Sequence, residues 1–110
     1  MSKIDKMIRE LGHPESLLGT AYIRVGVPMY KPGMSMTKEF YPGLAAAVGS
    51  SPSKVERCIR HSIETAWQRG SMDAQLRFFG NSIDPQRGKP TVSEYVATMA
   101  RLIHEAESVE

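Results

Sequence analysis

The sequence predicts an all-α fold of about six helices that form a single domain over residues 1–110. Apolar residues recur three or four positions apart in most of the chain, which is the spacing of one helix face. Seven prolines and nine glycines divide the chain into short blocks, most of which have this helical pattern. Alternation of the kind found in strands is confined to the stretch "YIRVGV". A chain of this length suits one hydrophobic core.

The first two blocks predict two short helices. In the first, the apolar residues at helical spacing are Ile4, Met7, Ile8 and Leu11. Gly12 is expected to end this helix, and Pro14 to start the second one. The broad apolar surface of the second helix comprises Leu17, Leu18, Tyr22, Ile23 and Val25. The sequence does not define where this helix ends, because Gly26 and Pro28 follow its apolar residues. Proline inside a helix loses a hydrogen bond and clashes with the preceding turn.

The next two blocks predict a helix-turn-helix at about residues 37–69. Thr37 is expected to cap the third helix, and Pro42 either to kink it or to open it. One face of this helix carries Phe40, Leu44, Ala47 and Val48. The fourth helix is predicted over about residues 52–69, and the residues that delimit it are Ser51 as N-cap, Pro52 at the first position and Gly70 as the stop.

The C-terminal part of the chain predicts two further helices joined by a loop. The stretch "SMDAQLRFFG" is typical of a short helix that ends at Gly80, and "NSIDPQRGKP" is typical of an irregular loop. Thr91 and Glu94 form a capping box at the start of the last helix. The apolar residues of that helix recur at helical spacing and are Val92, Tyr95, Val96, Met99, Leu102 and Ile103.

The composition argues against a membrane protein, a disulfide-stabilised protein and a metalloprotein. No apolar run in the sequence reaches the roughly 18 residues that span a bilayer, and the N-terminus does not have the pattern of a signal peptide. We therefore expect a cytoplasmic protein. Cys58 is the single cysteine, and the three histidines (His13, His61 and His104) do not have the spacing of metal ligands. Neither a metal nor another cofactor is expected.

The sequence does not predict an enzyme. Cys58 and His61 lie three residues apart on the fourth helix, which is compatible with a nucleophile and its base. However, no third group to orient the base and no oxyanion site accompany them, and Cys58 borders the apolar side of the helix. This favours a structural role for Cys58.

The third and fourth blocks share a pattern typical of a helix-turn-helix. Such a unit needs a small residue where the helices cross, a glycine in the turn and apolar residues at fixed positions. Ala45 and Gly49 meet the first two requirements, whereas Ser50 stands where an apolar residue is more common. The supporting apolar residues are Leu44, Val48, Val55 and Cys58. Helix pairs joined by a glycine turn are common in helical proteins. This pattern alone is therefore compatible both with DNA binding and with ordinary helix packing.

The predicted fourth helix has two opposite sides. Its apolar side carries Val55, Ile59, Ser62, Ile63 and Ala66. Its opposite side carries Lys54, Arg57, Arg60 and His61, with Glu56 at the edge. Arginine can pair bidentately with guanine in the major groove, and glutamate can accept a hydrogen bond from cytosine. The amides of residues 51–54 and the hydroxyls of Ser51 and Ser53 could hold a phosphate.

Two interpretations of these charges are open. Glu56 and Glu64 each lie four residues from Arg60, so the charges could be solvated surface stabilised by ion pairs worth roughly a few tenths of a kcal/mol each. However, Lys54 and Arg57 lie in the first turns, where the positive end of the helix dipole disfavours cations. This placement favours DNA as the partner.

Several segments of the chain resemble one protein family. The stretch "SKVERCIRHSIETAWQRG", followed by "MD", "FFG" and "GKPTVSEY", is similar to the C-terminal effector domain of the stage-zero sporulation protein A family. Members of this family are response-regulator transcription factors of endospore-forming bacteria. The similarity extends to "IRELGHP" and "MTKEFYPGLA", and so covers nearly the whole chain. The 110 residues include no receiver domain.

The resemblance implies a six-helix DNA-binding domain whose fourth helix reads a short DNA box in the major groove. The residues that would read the box are Lys54, Glu56, Arg57, Arg60 and His61. Further phosphate contacts are expected from Lys38, Arg87 and Lys89. In the family, domains bind in tandem on adjacent boxes, and the segment that corresponds to about residues 71–89 faces a sigma subunit of RNA polymerase.

The chain departs from the family pattern at three places. Lys54 stands where the family usually has arginine, which exchanges a bidentate base contact for a point charge. Gly26 and Pro28 interrupt a helix that the family keeps continuous. The altered residues on the surface expected to face a sigma subunit are Ala74, Gln75 and Arg77.

These features together predict a sequence-specific DNA-binding regulator of transcription. It is expected to bind double-stranded DNA as a homodimer or in tandem, and so to be associated with the nucleoid. A sigma subunit of RNA polymerase is a further candidate partner, although the altered residues on the surface expected to face it argue against that contact. The alternative is a helical module that binds a sigma factor or a full-length homologue without contacting DNA. The charges on the fourth helix discriminate between the two hypotheses.

Overall fold

The computed structural model describes residues 2–80 and 88–108, and within these ranges the chain is helical and contains no strand. Its six α-helices are α1 (Lys3–Leu11), α2 (Leu18–Gly26), α3 (Tyr41–Val48), α4 (Pro52–Arg69), α5 (Met72–Phe79) and α6 (Val92–Ser108). A 3-10 turn, Val27–Met29, follows α2, and a π-helical turn, Met36–Phe40, leads directly into α3. The predicted all-α class with about six helices is confirmed. None of the helices in the described ranges is long and apolar enough to cross a membrane.

Local signals set the ends of α1, α4 and α6 as predicted. Gly12 ends α1 with a φ of 84°, in the left-handed region. Ser51 caps α4, because its hydroxyl oxygen accepts the Lys54 N–H at 3.3 Å. The Thr91 N–H donates to the Glu94 carboxylate at 2.8 Å, and the Glu94 N–H donates to the Thr91 hydroxyl at 3.1 Å. This reciprocal pair is the predicted capping box.

The start of α2 differs from the prediction. Residues 14–17 form a separate turn, in which the Leu17 N–H donates to the Pro14 carbonyl at 3.2 Å. Leu17 then adopts an extended backbone, so α2 begins at Leu18 rather than at Pro14. Gly26 is the last residue of α2, and Pro28 lies in the 3-10 turn that follows. The helix therefore ends before the proline.

Ser35, rather than the predicted Thr37, caps the segment that leads into α3. The Ser35 hydroxyl oxygen accepts the Lys38 N–H at 3.1 Å, and the Ser35 N–H donates to the Glu39 carboxylate at 2.9 Å. The π-helical turn starts directly after Ser35, two residues earlier than the prediction placed the helix. Pro42 is the second residue of α3, where π-helical bonds give way to α-helical ones. Of the two predicted roles, Pro42 therefore opens α3.

The core is built around the crossing of α2 and α4, where the two backbones come into contact. Gly19 is buried in α2, and a Cβ atom added to it would lie 1.9 Å from the carbonyl oxygen of Cys58. Any side chain at position 19 would therefore push the helices apart. Buried apolar side chains from all six helices surround this crossing. Leu18, Val25 and Ala47 lie outside the core and are exposed, which corrects their assignment to apolar faces.

An aromatic cluster joins the C-terminal half of α4 to α5 and α6. The indole N–H of Trp67 donates to the Gly88 carbonyl at 3.0 Å. Its ring meets Phe79 and Tyr95 edge-on, at centroid distances of 5.9 and 6.4 Å. Phe79 and Tyr95 stack on each other at 4.6 Å. These contacts hold the end of α5, Gly88 and the start of α6 against the C-terminal half of α4.

Four buried polar side chains form a connected group inside the core, the His13 cluster, which consists of His13, Thr20, Ser62 and Tyr95. Nδ1 of His13 lies 2.8 Å from the Ser62 hydroxyl, and Nε2 lies 2.6 Å from the Tyr95 hydroxyl. The Thr20 hydroxyl lies 2.9 Å from that of Ser62 and 2.6 Å from the Pro14 carbonyl oxygen. Burial lowers the pKa of His13 to about 4, so its ring is neutral at pH 7.

One arrangement of protons satisfies all the contacts of the His13 cluster. Thr20 donates to the Pro14 carbonyl, because a carbonyl can only accept. Ser62 then donates to Thr20, and Nδ1 of His13 donates to Ser62. Tyr95 completes the chain by donating to Nε2. With the proton on Nε2 instead, Ser62 would donate to the ring, and no proton would remain between Ser62 and Thr20.

Candidate nucleic-acid interface

A tight turn joins α3 to α4. Gly49 follows α3 with a φ of 69°, a conformation that residues with a side chain rarely adopt. The Ser50 N–H closes the turn by donating to the Ala45 carbonyl at 2.9 Å. Leu44 and Ala45 on α3 and Val55 on α4 are buried on either side of it. The two helices and their turn have the connectivity of the helix-turn-helix predicted for this stretch.

The charges of α4 lie on the side opposite its core residues. The residues of α4 that are buried are Val55, Ile59, Ser62, Ile63 and Ala66. The exposed residues that form what we call the cationic face are Lys54, Arg57, Arg60 and His61. Three of these, together with Glu64, line a shallow depression of about 270 Å³. The cationic face runs along about the first three turns of α4.

Glu56 lies at the edge of the cationic face and is partly buried. Its carboxylate pairs with Nε of Arg60 at 3.2 Å, across one helical turn. The guanidinium carries two further Nη groups, so this pair does not use all of its donors. An exposed pair of this type contributes about 0.3–0.5 kcal/mol. Breaking it to bind a ligand would therefore cost little.

Tyr41 borders the same site and was not singled out by the sequence analysis. Together with Thr37, Pro52, Ser53 and Glu56, it lines a depression of about 240 Å³ between the starts of α3 and α4. Burial, and then the negative charge of Glu56, raises the pKa of Tyr41 to about 12. Its hydroxyl therefore keeps its proton at pH 7 and can donate a hydrogen bond. The only local signal for it was a tyrosine directly before the proline that opens α3.

The start of α4 offers fewer backbone donors than predicted. Ser51 and Ser53 are both exposed there, as the sequence indicated. However, the Lys54 N–H is already bonded to the Ser51 hydroxyl, and Pro52 has no N–H. Of the amides of residues 51–54, those of Ser51 and Ser53 remain as candidates for a phosphate.

The lysines predicted to contact phosphates lie at opposite ends of α4. Lys38 is exposed on the π-helical turn, which is beside the first turn of α4. Lys89 is also exposed, but Gly88 before it is bonded to Trp67. At 1.5 Å per residue, Trp67 lies about 20 Å along α4 from Lys54. Arg87 lies outside the described residues.

The surface of α5 differs from the one that the sequence predicted. Ala74 is buried and so does not form part of it. Gln75 donates to a backbone carbonyl of α4 at 2.8 Å, and Arg77 forms an ion pair with α1. The large apolar side chains exposed on α5 are instead Met72 and Leu76, at 72% and 57%.

Cys58 and His61 have different surroundings on α4. Cys58 is partly buried against the core, whereas His61 is exposed on the cationic face. In the part of the chain that the structure describes, no three or more histidine, cysteine, aspartate or glutamate side chains are grouped so that they could hold a metal ion.

A comparison with known protein families gives a match that extends over nearly all of the chain, including α4. The family model described as "sporulation initiation factor Spo0A C terminal" matches residues 4–103, which is nearly the whole chain. The resemblance noted in the sequence is thereby confirmed. This family consists of DNA-binding domains of sporulation transcription factors and is not a family of enzymes. The chain therefore belongs to the family of the sporulation initiation factor Spo0A C-terminal domain.

Proposed function

We propose that the chain is a sequence-specific regulator of transcription that reads DNA with α4 in the major groove. The observation that carries this proposal is the cationic face, which is exposed on the helix that follows the tight turn. A major groove about 12 Å wide admits one α-helix with its side chains. The buried side of α4 stays packed on α2 while the cationic face meets the bases.

The proposed base contacts follow from the chemistry of each side chain. Arg57 and Arg60 can each offer two parallel N–H donors to O6 and N7 of guanine. Glu56 can accept a hydrogen bond from N4 of cytosine, and Lys54 and His61 can donate to a base edge or a phosphate. Because Glu56 and Arg60 are paired across one turn, both side chains are partly ordered before they enter the groove.

The proposed phosphate contacts come from Lys38, Ser51 and Ser53, which lie near the start of α4. Such contacts fix where a helix enters the groove but do not read the sequence. Lys89 would contact the phosphate backbone of the DNA only if the duplex extended to the far end of α4. We therefore propose Lys38, Ser51 and Ser53 for positioning and assign Lys89 a smaller part.

The energetic balance supports this use of the cationic face. Lys54 lies in the first turn of α4 and opposes the helix dipole, at a cost of about 0.3–1 kcal/mol. One good base contact is worth about 1–3 kcal/mol of discrimination. The formal net charge of the chain is only +2, so its general attraction to DNA is modest. Contacts at the cationic face therefore have to supply most of the affinity as well as the specificity.

Selection from a pool of random duplexes tests the proposal. We expect a consensus box to be recovered, and the chain to bind it more tightly than a scrambled duplex at every salt concentration measured. Recovery of no consensus, with an affinity that depends on salt alone, would contradict sequence-specific binding.

Arg57→Ala is expected to weaken binding to the selected duplex about 5- to 150-fold, which corresponds to about 1–3 kcal/mol for one lost base contact. Lys6→Ala is the matched control, because Lys6 is an exposed cation on α1. The end of α1 packs on Gly70, at the far end of α4 from the cationic face. Fluorescence anisotropy of a labelled duplex measures both affinities. Equal binding by Arg57→Ala and the unmodified chain would rule out this docking.

Met72 and Leu76 favour a second candidate function, which is docking on a protein such as a sigma subunit of RNA polymerase. They lie one turn apart, on the same side of α5, and are both more than half exposed. Changing both to serine is expected to abolish co-purification with a sigma subunit and to leave duplex binding unchanged. Retained co-purification would contradict this surface, and the double variant Leu18→Ser, Val25→Ser, which makes the same kind of change on exposed residues of α2, is expected to keep co-purification.

A further inference from the structure

We propose that Ser62 is a positioning residue for base recognition, because its hydrogen bonds to His13 and Thr20 set the rotation of α4 about its own axis. This inference deepens the proposed function and rests on it. It assigns a role to the His13 cluster, which lies behind α4 and does not touch the cationic face.

Among the buried residues of α4, Ser62 alone is polar. The others are Val55, Ile59, Ile63 and Ala66. Dispersion contacts between apolar side chains are individually weak and only weakly directional, so a small rotation of the helix changes each of them little. Hydrogen bonds constrain both distance and angle. The two contacts of the Ser62 hydroxyl, at 2.8 Å to His13 and 2.9 Å to Thr20, therefore supply the directional constraint.

The partners of Ser62 are themselves anchored on other elements. His13 lies between α1 and α2, and its second ring nitrogen lies 2.6 Å from the hydroxyl of Tyr95 on α6. Thr20 lies on α2 and donates to the Pro14 carbonyl. No buried side-chain nitrogen or oxygen in the described residues lacks a hydrogen-bond partner, so this chain of contacts is complete. Ser62 is thus fixed relative to α2, α6 and the segment between α1 and α2.

The rotation of α4 decides where the cationic face points. Arg60 and His61 directly precede Ser62 and turn with it as one rigid helix. A rotation of about 20° moves an atom 5–6 Å from the helix axis by about 2 Å. Base contacts tolerate only about 0.5 Å. The close contact of Gly19 with Cys58 fixes the separation of α2 and α4, and the two hydrogen bonds of Ser62 add an angular constraint.

The test compares affinities for the selected duplex and for a scrambled duplex at one salt concentration. Ser62→Ala is expected to reduce the ratio of these affinities about tenfold, which is about the discrimination of one base contact. Affinity for the scrambled duplex is expected to stay nearly constant, because phosphate contacts tolerate a small rotation. Thr20→Val removes one of the two contacts and keeps the side-chain shape, so an intermediate fall is expected. It also serves if Ser62→Ala does not fold.

Ile63→Val is the matched control, because it removes one methylene from the same buried side of α4 and keeps Ser62. Its affinity ratio is expected to equal that of the unmodified chain. Unchanged ratios in Ser62→Ala and Thr20→Val would overturn the inference, as would an equal fall in Ile63→Val. If the unmodified chain shows no preference for the selected duplex, the proposed function fails and this inference fails with it. A preference that is undiminished in Ser62→Ala removes this inference alone.

Discussion

Gly19→Ala is expected to lower the free energy of unfolding by about 3 kcal/mol, at the upper end of the range for overpacked cores. The added Cβ would lie 1.9 Å from the carbonyl oxygen of Cys58 and 2.9 Å from Cβ of Ser62. A backbone carbonyl cannot rotate away as a flexible side chain can, so α2 and α4 have to separate. Chemical denaturation followed by circular dichroism measures the loss.

Gly43→Ala is the matched control for this prediction. Gly43 also lies inside a helix, but the nearest atom to its added Cβ is a methionine methyl group at 3.9 Å. Alanine at position 43 is expected to stabilise the chain by about 0.5–1 kcal/mol, because glycine loses more backbone freedom on folding. If both variants shifted stability in the same direction, propensity rather than the contact of α2 with α4 would govern position 19.

Acidification from pH 7 to pH 4 is expected to remove about 3 kcal/mol of stability through His13. Burial lowers the pKa of His13 from 6.5 to about 4. Between these values the unfolded chain binds a proton that the folded chain does not, so stability falls as the pH falls. The contribution of His13 to stability is fully present above about pH 6.5. It stops falling below about pH 4, where the folded ring also becomes charged. In the charged ring Nε2 also carries a proton, which would face the hydroxyl proton that Tyr95 donates to the neutral ring.

Two glutamine variants isolate this contribution. His13→Gln is expected to be less stable at pH 7 and to lose the part of the pH dependence that lies between pH 6.5 and pH 4. His61→Gln is the matched control, because His61 is exposed on the cationic face and its variant is expected to keep the slope. Denaturation midpoints at half-unit steps of pH measure both. A slope that persisted in His13→Gln would show that other groups carry the acid sensitivity.

Helix ends that depend on neighbouring residues could be predicted, whereas those that depend on tertiary contacts could not. Ser51 and the Thr91 capping box act within one turn, and both were predicted correctly. Ser35 and Thr37 offered the same hydroxyl two residues apart, and the π-helical turn, which no local pattern indicated, selected Ser35. Gly19 disfavours a helix by propensity, but the distant backbone of Cys58 requires it there.

The same division applies to the candidate site. The cationic face follows from helix geometry alone, so its position on α4 was predicted from spacing. The neighbourhood of Tyr41 and the distance of Lys89 from Lys54 depend on how α3 and the segment before α6 pack. His13 contacts Ser62 and Tyr95 across sequence separations of 49 and 82 residues. The spacing between the histidines argued against a metal site, but it could not reveal hydrogen-bond partners so far away in the sequence.

The indole contacts of Trp67 provide the protein with an intrinsic optical reporter. Trp67 is the single tryptophan of the chain, and its ring is held by the Gly88 carbonyl and by Phe79 and Tyr95. Separation of this cluster would move the indole into water and shift its emission to longer wavelength. Because Trp67 lies about 20 Å along α4 from Lys54, bases bound at the cationic face would not quench it by stacking. Opening of the C-terminal half can therefore be followed by Trp67 emission and DNA binding by the emission of a labelled duplex, in one sample of the unmodified protein.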